Sequence, residues 1–303
     1  MTDSMRNEGL ALSEAAADAV ARAGQVTVMV NARKRLPLSG LLFAAGLVLT
    51  ANHGVEREEG ITVVLPDGTI APAALAGRDR GFDLAVLRLE NATGLAPAVA
   101  AAGVARVGSL VAAVGRPSAE GIQASLGMVS ALGGGLRTHH GAVLERYLVT
   151  DAVPYPGFSG GPLVNLGGEI LGMNTSGLVR GMSLAIPAQA AWDAARSLAE
   201  HGHIRRAYLG IRSQAVELPL QARAHLGRDQ QTGLLVMGVE ADGPAAEQLM
   251  VGDLLVALQG RPVLDHEDLL AALAGDVAGK PLEATVLRAG KLTQVAVTPG
   301  EKA

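Results

Sequence analysis

Residues 156–165 read PGFSGGPLVN, a serine set among glycines and followed by an apolar run. A serine hydroxyl is a weak nucleophile. Acyl transfer from it needs a base to take its proton, an acid to orient that base, and two N–H donors for the developing oxyanion. Gly157, Gly160 and Gly161 let backbone approach a carbonyl with no Cβ in the way. The same glycines suit a plain tight turn, so the string alone leaves both readings of Ser159 open. The base would be one of seven histidines. His139 and His140 lie in a glycine-rich loop, His201 and His203 flank a helix end where a cation is favourable, and His225 and His266 lie further on. Each of these reads most simply as a surface side chain. His53 differs, because it directly follows the apolar run GLVLTA, at a strand end where a barrel presents residues to its cleft. The acid would be a carboxylate in an apolar setting. Asp83 opens FDLAVLRL, where an unpaired charge is costly, whereas Asp79 in GRDRG reads as a solvated turn.

His53, Asp83 and Ser159 follow one another at intervals of 30 and 76 residues. That is the chain order of the chymotrypsin-like double barrel, with the histidine in the first barrel and the serine in the second. GFSGG also satisfies the G-x-S-x-G elbow of α/β-hydrolases. The elbow requires a strand, a sharp turn and a helix, and here Pro162 leads into PLVNLGGEILGMN, which reads as two strands around a Leu-Gly-Gly turn. Asp193 and His201 supply the elbow's residue order, but both fall on one short amphipathic segment.

The elements that must hold these residues are mostly strands. A helix is expected over 12–23, capped by Ser13 and ended by Gly24. From Gln25 to Pro187, short β-rich runs are punctuated by Gly, Pro and Asp-Gly, the pattern of an antiparallel sandwich or barrel. Residues 188–201 read as a helix stopped by Gly202. Strands and short helices then start again, with Asp265 as an N-cap for a helix containing DLLAALAG. The expected organisation is an N-terminal helical segment (1–24), a protease-like domain (25–201), a linker (202–207) and a small second domain (208–303).

Composition bounds the rest. The chain's 303 residues suffice for about two domains, and its 49% hydrophobic content with only 2% aromatics predicts a core of Leu, Val, Ile and Ala. The net charge of −4 and the absence of a basic run argue against nucleic acid. With no cysteine there is no disulfide, thiolate nucleophile or Cys-based zinc site. The first residues do not read as a signal peptide, and no apolar window is long enough to span a membrane. The expectation is a cytoplasmic protein as written, or an envelope or periplasmic one if the chain is trimmed.

Three segments carry a family resemblance. TANHGV resembles the histidine segment of HtrA/Deg-type serine proteases, GRDRGFDLAVLRL is similar to their aspartate segment, and TDAVPYPGFSGGPLVNLGGEILGMN resembles their serine segment over nearly its whole length. SLAIP, the following helix and AYLGI extend the likeness over roughly residues 20–300. The resemblance implies a mainly β fold, a chymotrypsin-like double β-barrel followed by a small α+β PDZ domain. It implies an ATP-independent endopeptidase of unfolded or damaged proteins, without cofactor or metal, in homotrimers. His53 becomes the general base, Asp83 its orienting acid and Ser159 the nucleophile, with the amides of Gly157 and Ser159 as oxyanion hole. Asn174, Thr175, Ser176, Leu184 and Ala185 would flank the substrate pocket and favour a small apolar residue. Phe158 stands where the family usually has Asn, Gly54 where Val is usual, and no aromatic precedes Phe43, near the end where family trimers often carry one.

The second domain resembles PDZ domains. Tyr208, Leu209, Gly210 and Ile211 match the carboxylate-binding strand, beside a helix carrying Leu269, Leu270 and Leu273. Its implied partners are peptide C-termini. A contrasting expectation is a catalytically idle or latent scaffold on a protease fold, with Phe158 as the residue that motivates it.

Overall fold

The computed structural model describes residues 3–90, 96–103, 105–138, 142–179, 182–204, 206–273 and 277–302. The chain divides into two compact units, Met1–Ile204 and Arg205–Ala303.

The first unit opens with helix α1, Asp3–Gly24. It begins well before residue 12 and takes Ser13 into its interior, because the preceding MRNEGLAL contains good helix formers and no strong stop. Six strands then close a barrel: β1 (Thr27–Asn31), β2 (Leu38–Ala44), β3 (Leu47–Ala51), β4 (Ile61–Val64), β5 (Ile70–Asp79) and β6 (Leu84–Leu89), ordered β1-β2-β3-β6-β5-β4. Strands β7 (Leu110–Ser118) and β8 (Gly121–Gly133) begin the second barrel. A small ribbon of β9 (Leu136–Arg137) and β10 (Val143–Leu144) follows. The barrel then closes through β11 (Tyr147–Thr150), β12 (Pro162–Asn165), β13 (Ile170–Val179) and β14 (Met182–Pro187), in the order β11-β14-β13-β12-β7-β8. This is the mainly β, chymotrypsin-like double barrel that the sequence pattern predicts. Helix α2 spans Ala188–His201, and Gly202 closes it in the left-handed conformation with its N–H on Leu198 O.

Aliphatic side chains fill both barrels, as the scarcity of aromatics requires. Val28, Leu42, Val48, Ile61, Val63 and Leu87 are buried inside the first. A larger core joins the two: Leu41, Leu49 and Val86 from one side meet Val114, Met173 and Ile186 from the other. Ala191, Trp192 and Leu198 of α2 seal that seam, Trp192 meeting Phe43 edge to face at 6.3 Å.

The second unit is the smaller α+β domain. It contains β15 (Arg206–Tyr208), β16 (Ile211–Glu217), α3 (Leu220–His225), β17 (Thr232–Val239), β18 (Leu254–Leu258), β19 (Arg261–Pro262), α4 (His266–Ala272), β20 (Leu282–Arg288), β21 (Lys291–Val297) and β22 (Gly300–Lys302). β16 lies at the edge of the sheet β16-β17-β18-β20-β21. Asp265 caps α4 as expected, accepting from the Asp268 amide at 3.0 Å.

Candidate active site

Ladder register brings His53 and Asp83 together. Ala51 at the end of β3 pairs with Leu84 at the start of β6, so the residues just beyond each strand are neighbours. His53 sits in a short 3-10 turn, Asn52–Gly54, and Asp83 adopts a left-handed backbone conformation (φ 53°). The Asp83 carboxylate, 3% exposed, accepts from the His53 amide (2.8 Å) through Oδ1, and its Oδ2 lies 2.8 Å from His53 Nδ1. Thr175 Oγ1 donates to Oδ2 as well, and takes the Gly177 N–H at 3.0 Å. Both oxygens of the buried carboxylate therefore meet a donor. Gly177 backs the pair, and a Cβ there would fall 2.5 Å from Asp83 Oδ2 and 2.6 Å from His53 Nδ1.

Arg78 braces the histidine turn. Its Nε donates to Asn52 Oδ1 at 2.8 Å and its second guanidinium nitrogen to Val55 O at 2.6 Å, one bond at each end of the turn.

Ser159 is presented by two consecutive tight turns. The Phe158 N–H closes the first on Tyr155 O (3.0 Å), and the Gly161 N–H closes the second on Phe158 O (2.9 Å). Pro156 followed by Gly157 at φ 90° is the type II arrangement, since proline fixes the first corner and only glycine accepts the second readily. In the second turn Gly160 (φ 88°) takes the same role. Neither turn uses the Gly157 or Ser159 amide, and both are without a hydrogen-bond partner among the described residues. Two free donors beside a serine hydroxyl are what a developing oxyanion needs. Ser159 Oγ lies 3.2 Å from Ser176 Oγ, and no Ser159–His53 hydrogen bond is formed among the described residues.

Phe158 points away from the cleft. It is fully buried in the second barrel with Val111, Ala113, Leu163 and Ala185, and Tyr155 meets its ring edge to face at 5.5 Å. The aromatic thus anchors the loop from below and leaves the two amides clear.

The expected pocket residues fare differently. Asn174 and Thr175 are buried, with Asn174 Nδ2 on Pro162 O (2.8 Å) and Thr175 on Asp83. Leu184 and Ala185 are buried in the core. Of the five, Ser176 is exposed and the other four side chains are buried. His139 and His140 lie outside the described residues. No group of three or more potential metal ligands occurs among the described residues.

In the second unit Tyr208 is half-buried, ending β15, and Leu209 and Gly210 follow it. Gly210 has a left-handed backbone (φ 69°), and the amides of Leu209 and Gly210 are without a partner among the described residues. Ile211 starts the edge strand β16. Leu269 and Leu273 belong to the core, whereas Leu270 on α4 is 45% exposed. His266, at the start of α4, reaches Ser213 of β16 with Nε2 3.0 Å from its carbonyl oxygen, so helix and edge strand lie side by side.

The comparisons agree with this geometry. A family model for the trypsin-like peptidase domain matches residues 38–173, and one for the PDZ domain matches 207–298. A probable periplasmic serine protease do/HhoA-like of Haemophilus influenzae is 35% identical over 262 residues, covering 84% of this chain and 56% of the relative. The periplasmic pH-dependent serine endoprotease DegQ of Escherichia coli is 35% identical over 269 residues, covering 86% and 58%. The chain thus spans a little over half the length of the curated relatives it matches. Among solved structures, the HtrA-type protease AlgW with tripeptide superposes with TM-score 0.76 at 31% identity, covering 95% of this chain and 97% of that one. The serine endoprotease from Yersinia pestis gives 0.74 at 30%, covering 95% and 98%. The relatives named periplasmic overturn the cytoplasmic expectation, which rested on the lack of an export pattern in the first residues; they point to the periplasm instead. No helix among the described residues is long and apolar enough to cross a membrane. With trypsin-like and PDZ domains in this order, and likeness over almost the whole chain, the protein belongs to the HtrA/Deg-type serine protease family.

Proposed function

We propose that this chain is an ATP-independent serine endopeptidase that cleaves unfolded or damaged proteins by an acyl-enzyme mechanism. The observation that carries this reading is the His53–Asp83 pair at 2.8 Å beside a serine whose loop leaves two amides free. His53 Nδ1–H donates to Asp83, which leaves Nε2 as the proton acceptor. In the reacting arrangement the Ser159 hydroxyl exchanges Ser176 for that nitrogen. The hydroxyl oxygen then attacks the scissile carbonyl, the proton passes to Nε2, and the amides of Gly157 and Ser159 receive the oxyanion. His53 returns the proton to the leaving amine, and water repeats the sequence to free the acyl group.

The second unit acts as the modulator. The free amides of Leu209 and Gly210 suit a peptide C-terminal carboxylate, and the edge of β16 beside Leu270 suits an added strand. Assembly into a homotrimer belongs to the same reading.

A fluorophosphonate probe, which reacts only with an activated serine, tests it. Mass spectrometry should place the label on Ser159 in the wild type and find none in Ser159→Ala. Labelling that needs an added hydrophobic C-terminal peptide would mean a latent, PDZ-gated enzyme. No labelling under either condition would reject the endopeptidase reading.

A further inference from the structure

Strand β2 of the first barrel reaches the serine loop of the second through Ser39. Ser39 is fully buried. Its amide donates to Ser159 O at 3.1 Å. Its hydroxyl accepts from the Arg116 amide at 2.8 Å. That acceptance fixes the direction of its own proton, since the other neighbour, Gly157 O at 2.7 Å, can only accept. Ser39 therefore holds the loop on both sides of Phe158, at Gly157 and at Ser159.

The Gly157 carbonyl shares its peptide plane with the Phe158 N–H, which closes the first turn on Tyr155 O. One plane is thus pinned at its oxygen by Ser39 and at its nitrogen by Tyr155. That plane adjoins the Pro156–Gly157 peptide, which at Gly157 φ 90° leaves the Gly157 N–H free. Release of the oxygen lets the plane rotate and opens the turn. The close fit shows in the neighbouring glycines: a Cβ on Gly160 would lie 2.1 Å from Ser39 O, one on Gly115 2.9 Å from Ser39 Oγ, and one on Gly161 3.2 Å from Ser39 Cβ. The contact also runs outward. Arg116, whose amide Ser39 accepts, sends its guanidinium to Thr27 O (2.8 Å) and to Gly24 O at the end of α1 (3.1 Å).

We propose that Ser39 is a positioning residue for the oxyanion hole, with its hydroxyl setting the Gly157 amide through the Gly157–Phe158 peptide. The proposal rests on the endopeptidase reading above. It assigns to Ser39 no contact with substrate.

The test compares steady-state cleavage of an unfolded protein substrate by wild type, Ser39→Ala and Thr27→Val. Thr27 is also fully buried, and its hydroxyl donates to Ala23 O at 2.7 Å, so Thr27→Val removes one buried hydroxyl that does not touch the loop and keeps the carbonyl that Arg116 uses. Removing a direct oxyanion donor costs about 100- to 1,000-fold in kcat, so an indirect clamp is expected to cost about 10- to 100-fold. Ser39→Ala should lose that much kcat with KM within about two-fold, and should lose affinity for a peptide aldehyde, which forms a tetrahedral adduct, by a similar factor. Thr27→Val should keep both. Should Ser39→Ala fail to fold, Ser39→Cys, a weaker donor, carries the same comparison. A Ser39 variant with wild-type kcat and aldehyde affinity overturns the proposal, as does an equal loss in Thr27→Val. An inactive wild type defeats the endopeptidase reading instead.

Discussion

A Cβ on Gly115 would lie 2.6 Å from the Phe158 ring, so the ring next to Ser159 occupies space that strand β7 leaves only because residue 115 is glycine. The unusual aromatic and the glycine opposite it form one packing unit, and the fit puts the bulk of residue 158 in the core of the second barrel.

That unit makes a first prediction. Phe158→Ala should destabilise the first unit by about 3–5 kcal/mol, the usual cost of emptying a buried aromatic site. Gly115→Ala should cost about 1–3 kcal/mol through overpacking. The double variant should cost less than the two together, because the added methyl enters the vacated space. Urea denaturation of the four proteins completes the cycle. Additivity within about 0.5 kcal/mol would remove the coupling.

A second prediction concerns the acid. Asp83→Asn should leave the fold intact and lower kcat by about 10,000-fold, because the amide no longer fixes the His53 tautomer. Ser159→Ala and His53→Ala should each reduce hydrolysis to background, and combining them should add nothing further. Progress curves with a chromogenic peptide read all of these. A Asp83→Asn enzyme within ten-fold of wild type would mean that the pair does not act as proposed.

The second unit offers a pH prediction. Asp253, 1% exposed, receives Arg288 at 2.8 and 2.7 Å and the Met250 amide at 2.9 Å. Burial pushes its carboxyl up, but the Arg288 hydrogen bonds and charge, with the Met250 amide, outweigh burial and hold it below the usual carboxylate range. A depressed carboxyl adds stability above its unfolded value, near about 3.9, and loses it as pH falls through the folded value. Unfolding of this unit should therefore become easier below about pH 4. Asp253→Asn should lose about 3 kcal/mol at neutral pH and show a flatter acid limb. Thermal melts of the full chain between pH 2 and 7 would show whether the two curves converge at low pH.

For the peptide groove, Leu270→Ala should weaken binding of a hydrophobic C-terminal peptide about five-fold or more without lowering the melting temperature, since this side chain faces solvent on α4. Gly210→Ala should weaken it further by straining a left-handed position, where the new Cβ would also meet Gly243 Cα at 3.0 Å. Fluorescence anisotropy with a labelled peptide measures both. Unchanged affinity in both variants would place the ligand elsewhere.

Much of this was legible where local chemistry sets the outcome. Helix α2 keeps the expected bounds, 188–201, with Gly202 ending it in the left-handed conformation. Alternation and turn residues point to an antiparallel sandwich or barrel, and the family resemblance to two barrels. His53, Asp83 and Ser159 stood out because a histidine at a strand end, a carboxylate before an apolar strand and a glycine-flanked serine are each locally conspicuous. Ser39 and Thr175 were not, because a buried hydroxyl draws its meaning from a partner far away in the chain: Ser39 from Gly157 and Thr175 from Asp83. Which side chains of β13 and β14 are buried likewise depends on barrel closure, which turns Asn174, Leu184 and Ala185 inward. Helix α1 is longer than expected because Ser13, the expected cap, lies inside it.

The site is divided between two barrels, with the base and acid in the first and the serine in the second. A ribosome therefore delivers the parts in an order that is safe for the cell. While only the first barrel has formed, the chain holds a base and its acid with no hydroxyl to activate. On the endopeptidase reading, cleavage requires the second barrel to have closed against the first, so a chain with only its first barrel formed would hold no nucleophile.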